Sequence, residues 1–194
     1  MLIKCLLIAM QTILIILAVL SSFLTNLETK TLQSEFTVTV AEEINAPMNY
    51  YGSIVMSGDL FRLTFIDMQA AYDGKTMYVY SSETDELTLT NPTQQELLDS
   101  NPLLYAKALI KVCNITEREI GKQTLLTLTP KDQSIGINRF ELRVRTEDAM
   151  PLQVDIKEGR KTTTLKLKEP KFVTAKQEYV IKPQKNTYVN DMRL

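Results

Sequence analysis

The sequence predicts a mainly β domain: an antiparallel meander too wide to stay flat, carrying one helical insertion with an apolar face. Three observations predict it. Seven segments alternate apolar and polar residues with period two, the signature of strands with one buried and one wet face. Turn-forming residues separate them at short intervals, so each strand pairs with its neighbour in sequence. The stretch Asn91–Val112 breaks the alternation and spaces its leucines as a helix does. Composition agrees: 194 residues, 44% hydrophobic and 23% charged, suit one globular domain, and six Gly with seven Pro exclude collagen-like or low-complexity sequence.

The elements follow in chain order. Leu2 to Leu24 is apolar apart from Lys4, Gln11 and a few Ser or Thr. An early Lys, an apolar run and then Ser21-Ser22 predict a signal peptide over residues 1–22, with Val19 or Leu20 three residues before the cut. The rival is an uncleaved N-terminal anchor, because a run of this length approaches a bilayer span. No Cys follows the run, so the chain does not resemble a lipoprotein. Residues 23–194 form the predicted domain. Thr25–Ser34 is expected as a short helix feeding the first strand.

The alternating strands are centred on Phe36-Val38-Val40, Phe61-Leu63-Phe65, Leu87-Leu89, Leu126-Leu128, Phe140-Leu142-Val144, Val154-Ile156 and Leu165-Leu167. Asn45-Ala46-Pro47, Ser57-Gly58-Asp59, Asp73-Gly74-Lys75, Glu83-Thr84-Asp85 and Glu158-Gly159-Arg160 punctuate them. Ser57-Gly58 and Asp73-Gly74 suit two-residue hairpins. Ten or eleven strands exceed the usual sheet, which must then curl into a closed barrel, a sandwich or a half-open barrel. Within the insertion, Asn91 is expected as cap with Pro92 in the first turn, and a break falls at Asn101-Pro102. Leu97 and Leu98 belong to the first helix; Leu103, Leu104, Ala108 and Leu109 belong to the second. Such an insertion covers the concave face of the sheet, as plain core or as a lid over a ligand cavity.

Charge and chemistry narrow the function. A formal net charge of −1 offers no bulk attraction to nucleic acid. The absence of His removes imidazole as base or ligand. Cys113 is the one thiol beyond the leading segment, too few for a disulfide or a metal site. Asp67, Asp73, Glu83, Asp85 and Glu86 sit in turns or on wet faces, and no nucleophile elbow or P-loop is present. Arg160–Lys171 alternates Lys with Leu, as the wet face of a strand does; docking to an acidic partner is the alternative. Asn114-Ile115-Thr116 has the form of a glycosylation sequon. No catalytic residues, metal or cofactor are expected.

Three successive segments carry a family resemblance. Gly52-Ser53-Ile54-Val55-Met56, then Gly58-Asp59-Leu60-Phe61-Arg62-Leu63, then Ala71-Tyr72-Asp73-Gly74-Lys75-Thr76-Met77-Tyr78-Val79-Tyr80 resemble the LolA family in order and spacing. These are periplasmic carriers of lipoproteins to the outer membrane. The Pro-broken helical stretch and the closing strands also match, over roughly residues 30 to 194. The resemblance implies an unclosed eleven-stranded barrel under a short helical lid, with an apolar cavity for acyl chains. It also implies residence in the periplasm, an inner-membrane lipoprotein-releasing transporter and an outer-membrane acceptor as partners, and a monomer. Two departures stand out. The family's Arg-Pro after the glycine-containing strand is replaced by Ser57-Gly58-Asp59, and that Arg's lid-closing role is not assigned to Arg62. The first helix is short unless Leu17–Leu32 supplies part of it, with cleavage earlier than Ser21.

On this reading the acyl-chain cavity is lined by Phe36, Val38, Ile54, Met56, Phe61, Leu63, Phe65, Tyr78 and Tyr80, under lid residues Leu97, Leu98, Leu104 and Ala108. Strand parity decides the choice at one strand, where Met77 and Val79 are the alternative to Tyr78 and Tyr80. Two functions remain open: a periplasmic lipoprotein carrier without chemistry, and a membrane-anchored lipid-binding or sensor module on the same barrel.

Overall fold

A computed structural model describes residues 18–174 and 177–193. Of the targeting segment expected at 1–22, residues 1–17 lie outside the described residues. The chain opens with helix α1 at 18–29, then runs β1 (Thr31–Glu42), β2 (Met48–Ser57), β3 (Leu60–Thr64), β4 (Met68–Tyr72), β5 (Met77–Ser81) and β6 (Glu86–Thr90). Helices α2 (Gln94–Ser100) and α3 (Pro102–Leu109) follow, then β7 (Cys113–Ile120), β8 (Gln123–Pro130), β9 (Arg139–Arg145), β10 (Pro151–Glu158), β11 (Lys161–Val173) and β12 (Tyr188–Asp191).

All twelve strands join one sheet in the order β12-β6-β5-β4-β3-β2-β1-β11-β10-β9-β8-β7, whose end strands do not pair with each other. The sheet is therefore a mainly β, unclosed half-barrel. Every neighbouring pair is antiparallel except β12 beside β6, which is parallel. This twelfth strand is one more than the eleven expected. It is four residues long with three of them exposed, so it shows no alternation to read. The β1–β11 pairing closes the meander's two halves over eleven residue pairs, with a bulge between Gln33 and Glu35.

Two turns illustrate local chemistry. Gly58-Asp59 is a two-residue hairpin, with Gly58 at φ 58°, where a side chain would be strained. The Asp73-Gly74 hairpin is longer than expected, because Asp73 Oδ1 accepts from the N–H groups of both Lys75 and Thr76. The resulting Asx-type turn widens the loop to residues 73–76.

Apolar residues of the concave face form one core with α1, α2 and α3. A second, smaller cluster lies on the convex face, where Ile181 covers Ala71, Leu87 and Leu89. The helix expected at Thr25–Ser34 sits earlier, because Thr31 already pairs with Val173 in the sheet. Leu20, Phe23 and Leu27 turn to the core, while residues 21, 22, 25 and 28 face outward. Among the described residues no helix is long and apolar enough to cross a membrane.

Candidate functional site

Strand register decides which side chains face inward. Leu32 pairs with Met56 and Met56 with Phe61, and Ile54 pairs with Leu63, so these five share the concave face. Phe36 stands opposite Gly52, and its ring meets Phe65 edge-on at 5.4 Å. The glycine permits this crossing: a Cβ at position 52 would collide with the Thr64 carbonyl and lie 2.7 Å from Phe36 Cζ.

The β1–β2 and β3–β4 loops share one end of the half-barrel, as alternate connections of a meander must. There a cavity of about 620 Å³ opens, within the range of ligand sites. Val38 and Val40 of β1, Tyr50 and Tyr51 of β2, and Phe65, Ile66 and Met68 around the β3–β4 loop supply its apolar wall. Asp99, Ser100 and Pro102, where α2 meets α3, also line it, with Asp67 and Lys161 as further charged groups. Ile66 is 92% exposed, and Ile44 on the neighbouring loop is 87% exposed. Met48, Tyr50, Tyr51 and Met68 are exposed too. Large apolar side chains left in water around an apolar opening have hydration free energy to recover when covered.

The residues expected to line a cavity divide into three groups. Val38 and Phe65 line the open space. Phe36, Ile54, Met56, Phe61 and Leu63 are packed in the core with Leu97, Leu98 and Leu104 of the helical insertion. Tyr78 and Tyr80 correct the expectation, since they lie on the convex face in the second cluster, while Met77 and Val79 point inward. The phenolic groups explain the choice. On the convex side Tyr78 donates to Asp73 Oδ2 at 2.9 Å and Tyr80 to Asp85 Oδ1 at 3.2 Å, partners the apolar concave face does not offer. Ala108 is a second correction. Helix α3 is buried around its circumference over Leu103–Ala106, but in its last turn Leu109 alone faces the core and Lys107 and Ala108 are exposed. The sequence reading missed Tyr50, Tyr51, Ile66 and Met68, which lie at strand starts and loop tips, where alternation carries no signal.

The insertion is held by specific polar contacts. Thr93, not Asn91, caps α2: its side chain accepts from Glu96 N–H while the Glu96 carboxylate accepts from Thr93 N–H. This capping box outcompetes the Asn91-Pro92 start. Asn101 is fully buried between the helices, and its Oδ1 accepts from Leu103 N–H to start α3. Tyr105 donates to Asp99 Oδ1 at 2.9 Å, tying α3 back to α2. Burial first, and the Asp99 carboxylate second, push the Tyr105 hydroxyl up to about 12, so it remains a donor. Lys107 Nζ lies 3.2 Å from Asp59 and 3.6 Å from Glu28, joining α3 to the β2–β3 turn and α1.

The cavity wall is mainly apolar, with Asp67, Asp99 and Lys161 as its charged groups. Cys113 is buried, and burial pushes its thiol up, away from the nucleophilic thiolate. Among the described residues no group of three His, Cys, Asp or Glu side chains converges to hold a metal ion.

Comparisons with known proteins bear on this geometry. Residues 28–180 match the family model described as "Outer membrane lipoprotein carrier protein LolA". Among curated proteins, none matches the sequence significantly. A solved structure of an uncharacterized conserved protein from Thermus thermophilus superposes with TM-score 0.60 at 17% identity, covering 90% of this chain and 97% of that one. The MucA/MucB complex of Pseudomonas aeruginosa matches with TM-score 0.50 at 16% identity, over 84% of this chain and 59% of that one. At these identities the likeness establishes the fold.

Proposed function

The chain belongs to the LolA family, and on that premise we propose that it is an exported, non-enzymatic carrier that takes up the acyl chains of lipoproteins at the open end of its half-barrel. The observation that carries the reading is the apolar opening of about 620 Å³ with Val38, Tyr50, Phe65, Ile66 and Met68 around it. Each methylene moved from water into such a site contributes about 0.8 kcal/mol, so even part of an alkyl chain binds without any catalytic group. The packed residues beneath, Phe36, Ile54, Met56, Phe61 and Leu63, become additional lining when α2 and α3 lift. Those helices have seven and eight residues, too short to be stable alone, so their displacement costs mainly the packing they give up.

As a carrier the protein works in the periplasm, loading from an inner-membrane lipoprotein-releasing transporter and unloading to an outer-membrane acceptor. Reversible transfer favours a site that is half open over one that seals its cargo. The test is titration of the purified protein with a fluorescent fatty-acyl probe, competed by an acylated lipoprotein. Saturable binding displaced by the lipoprotein is expected. Absence of binding to either ligand overturns the carrier reading.

A further inference from the structure

Helix α1 contains residues that the sequence pattern assigns to the targeting segment, and its packing decides between the two. The run up to Leu17 is apolar with few interruptions in sequence, whereas from residue 18 the pattern becomes amphipathic. Leu20, Phe23 and Leu27, spaced three and four apart, are 3%, 0% and 5% exposed within the main core. Ser21, Ser22, Thr25 and Glu28 form the outer face of the same helix. The two serines that read as the polar end of a signal peptide are therefore the wet side of a core helix.

Three further contacts fix α1 to the domain. The Gly58 N–H donates to Leu27 O at the β2–β3 turn. Asn26 Nδ2 donates to Asp148 O at 2.9 Å, in the β9–β10 connection. Glu28 faces Lys107 of α3. A cut after Ser21 or Ser22 would remove Leu20 from the core and place a charged amino terminus beside the fully buried Phe23, which an apolar interior does not accommodate.

We infer that the mature protein begins at or before Val19, with processing at the Ala18–Val19 bond. Ala18 is the only small residue between Ile13 and Leu20, as the position before a signal-peptidase cut requires. Ala18 is exposed and Val19 is only partly buried at the edge of the core, so a charged amino terminus on Val19 stays in reach of water and Leu20 keeps its place. This inference rests on the proposed export. The family match begins at residue 28, so it does not assign these residues.

The experiment is expression of the full chain with its own N-terminus in a Gram-negative host, followed by fractionation and intact-mass measurement. A soluble periplasmic species beginning at Val19 is expected. A species beginning at Ser22, Phe23 or later overturns the inference while leaving export intact. An uncleaved chain in the membrane fraction overturns the processing site and the soluble-carrier reading together. A Leu20→Asn variant adds an independent readout. Its periplasmic product should melt well below the wild-type product, whereas an unchanged melting temperature shows that Leu20 is absent from the folded domain and overturns the inference.

Discussion

Replacing Ile66 with Ala separates binding from folding more cleanly than any core substitution. Ile66 is 92% exposed, so its truncation removes almost no packing and should change stability by less than about 0.5 kcal/mol. Its place at the cavity wall makes it an early contact for an entering alkyl chain. Ile→Ala removes three carbons, and at about 0.8 kcal/mol each their complete burial against the ligand would contribute about 2.4 kcal/mol. That corresponds to a roughly 50-fold weaker Kd, and half coverage to a roughly sevenfold change. The assay is the acyl-probe titration, with urea unfolding of the same samples as the control for folding. Val189 on β12 supplies the comparison, since it is also exposed but is not part of the cavity wall. Val189→Ala should bind as wild type does. Ile66→Ala binding with wild-type affinity, or Val189→Ala losing as much, would refute the placement of the site.

Substitutions at three other positions test the architecture. Gly52→Ala forces its Cβ against the Thr64 carbonyl and the Phe36 ring and should cost about 1–3 kcal/mol in urea unfolding; an unchanged midpoint would contradict the close approach. Asn101→Ala removes the α3 cap from a buried position and should cost about 1–2 kcal/mol, with Asn101→Asp no better because it buries a charge. Glu117 points one buried, unpartnered carboxylate oxygen from edge strand β7, and burial first, with Glu119 second, raises its pKa. A raised folded-state value means that folding favours the protonated form. The ionised carboxylate therefore destabilises the protein above that value, and the penalty fades as pH falls through it. Glu117→Gln should raise the melting temperature at neutral pH, by a margin that shrinks toward pH ~4. A pH-independent margin would exclude ionisation as its cause.

The fold was legible where one physical rule acted alone. Strands with a core face and a wet face alternate, and Phe140, Leu142 and Val144 are buried as that alternation requires. Asn101-Pro102 broke the helical insertion where a buried cap and an N-terminal proline meet. Legibility failed where a second rule overrode the first. At α1 an apolar run and an amphipathic helix overlap, and composition alone merges them; the spacing of Leu20, Phe23 and Leu27 was the signal that separates them. At β12 the determining contacts are backbone and long-range, such as Tyr188 N–H to Asp85 O and Met192 N–H to Leu89 O, which leave no pattern in the strand itself.

The candidate site was harder to read because a curved sheet divides its apolar residues by depth as well as by face. Phe36 and Val38 share the concave side of β1, yet Phe36 is buried and Val38 lines the opening, because β1 runs from the packed end toward the open one. Tyr78 and Tyr80 show the other limit. Their rings are as apolar as those of inward-facing residues, but each hydroxyl requires a partner once its ring is covered. Asp73 and Asp85 stand five residues away in sequence, at the two turns flanking β5, and both hydroxyls reach them from the convex side. The polar tip therefore sets the parity of the strand. With Tyr78 and Tyr80 committed outward, Met77 and Val79 face the core, and β5 presents thioether and aliphatic surface there, more adaptable in shape than rigid phenols.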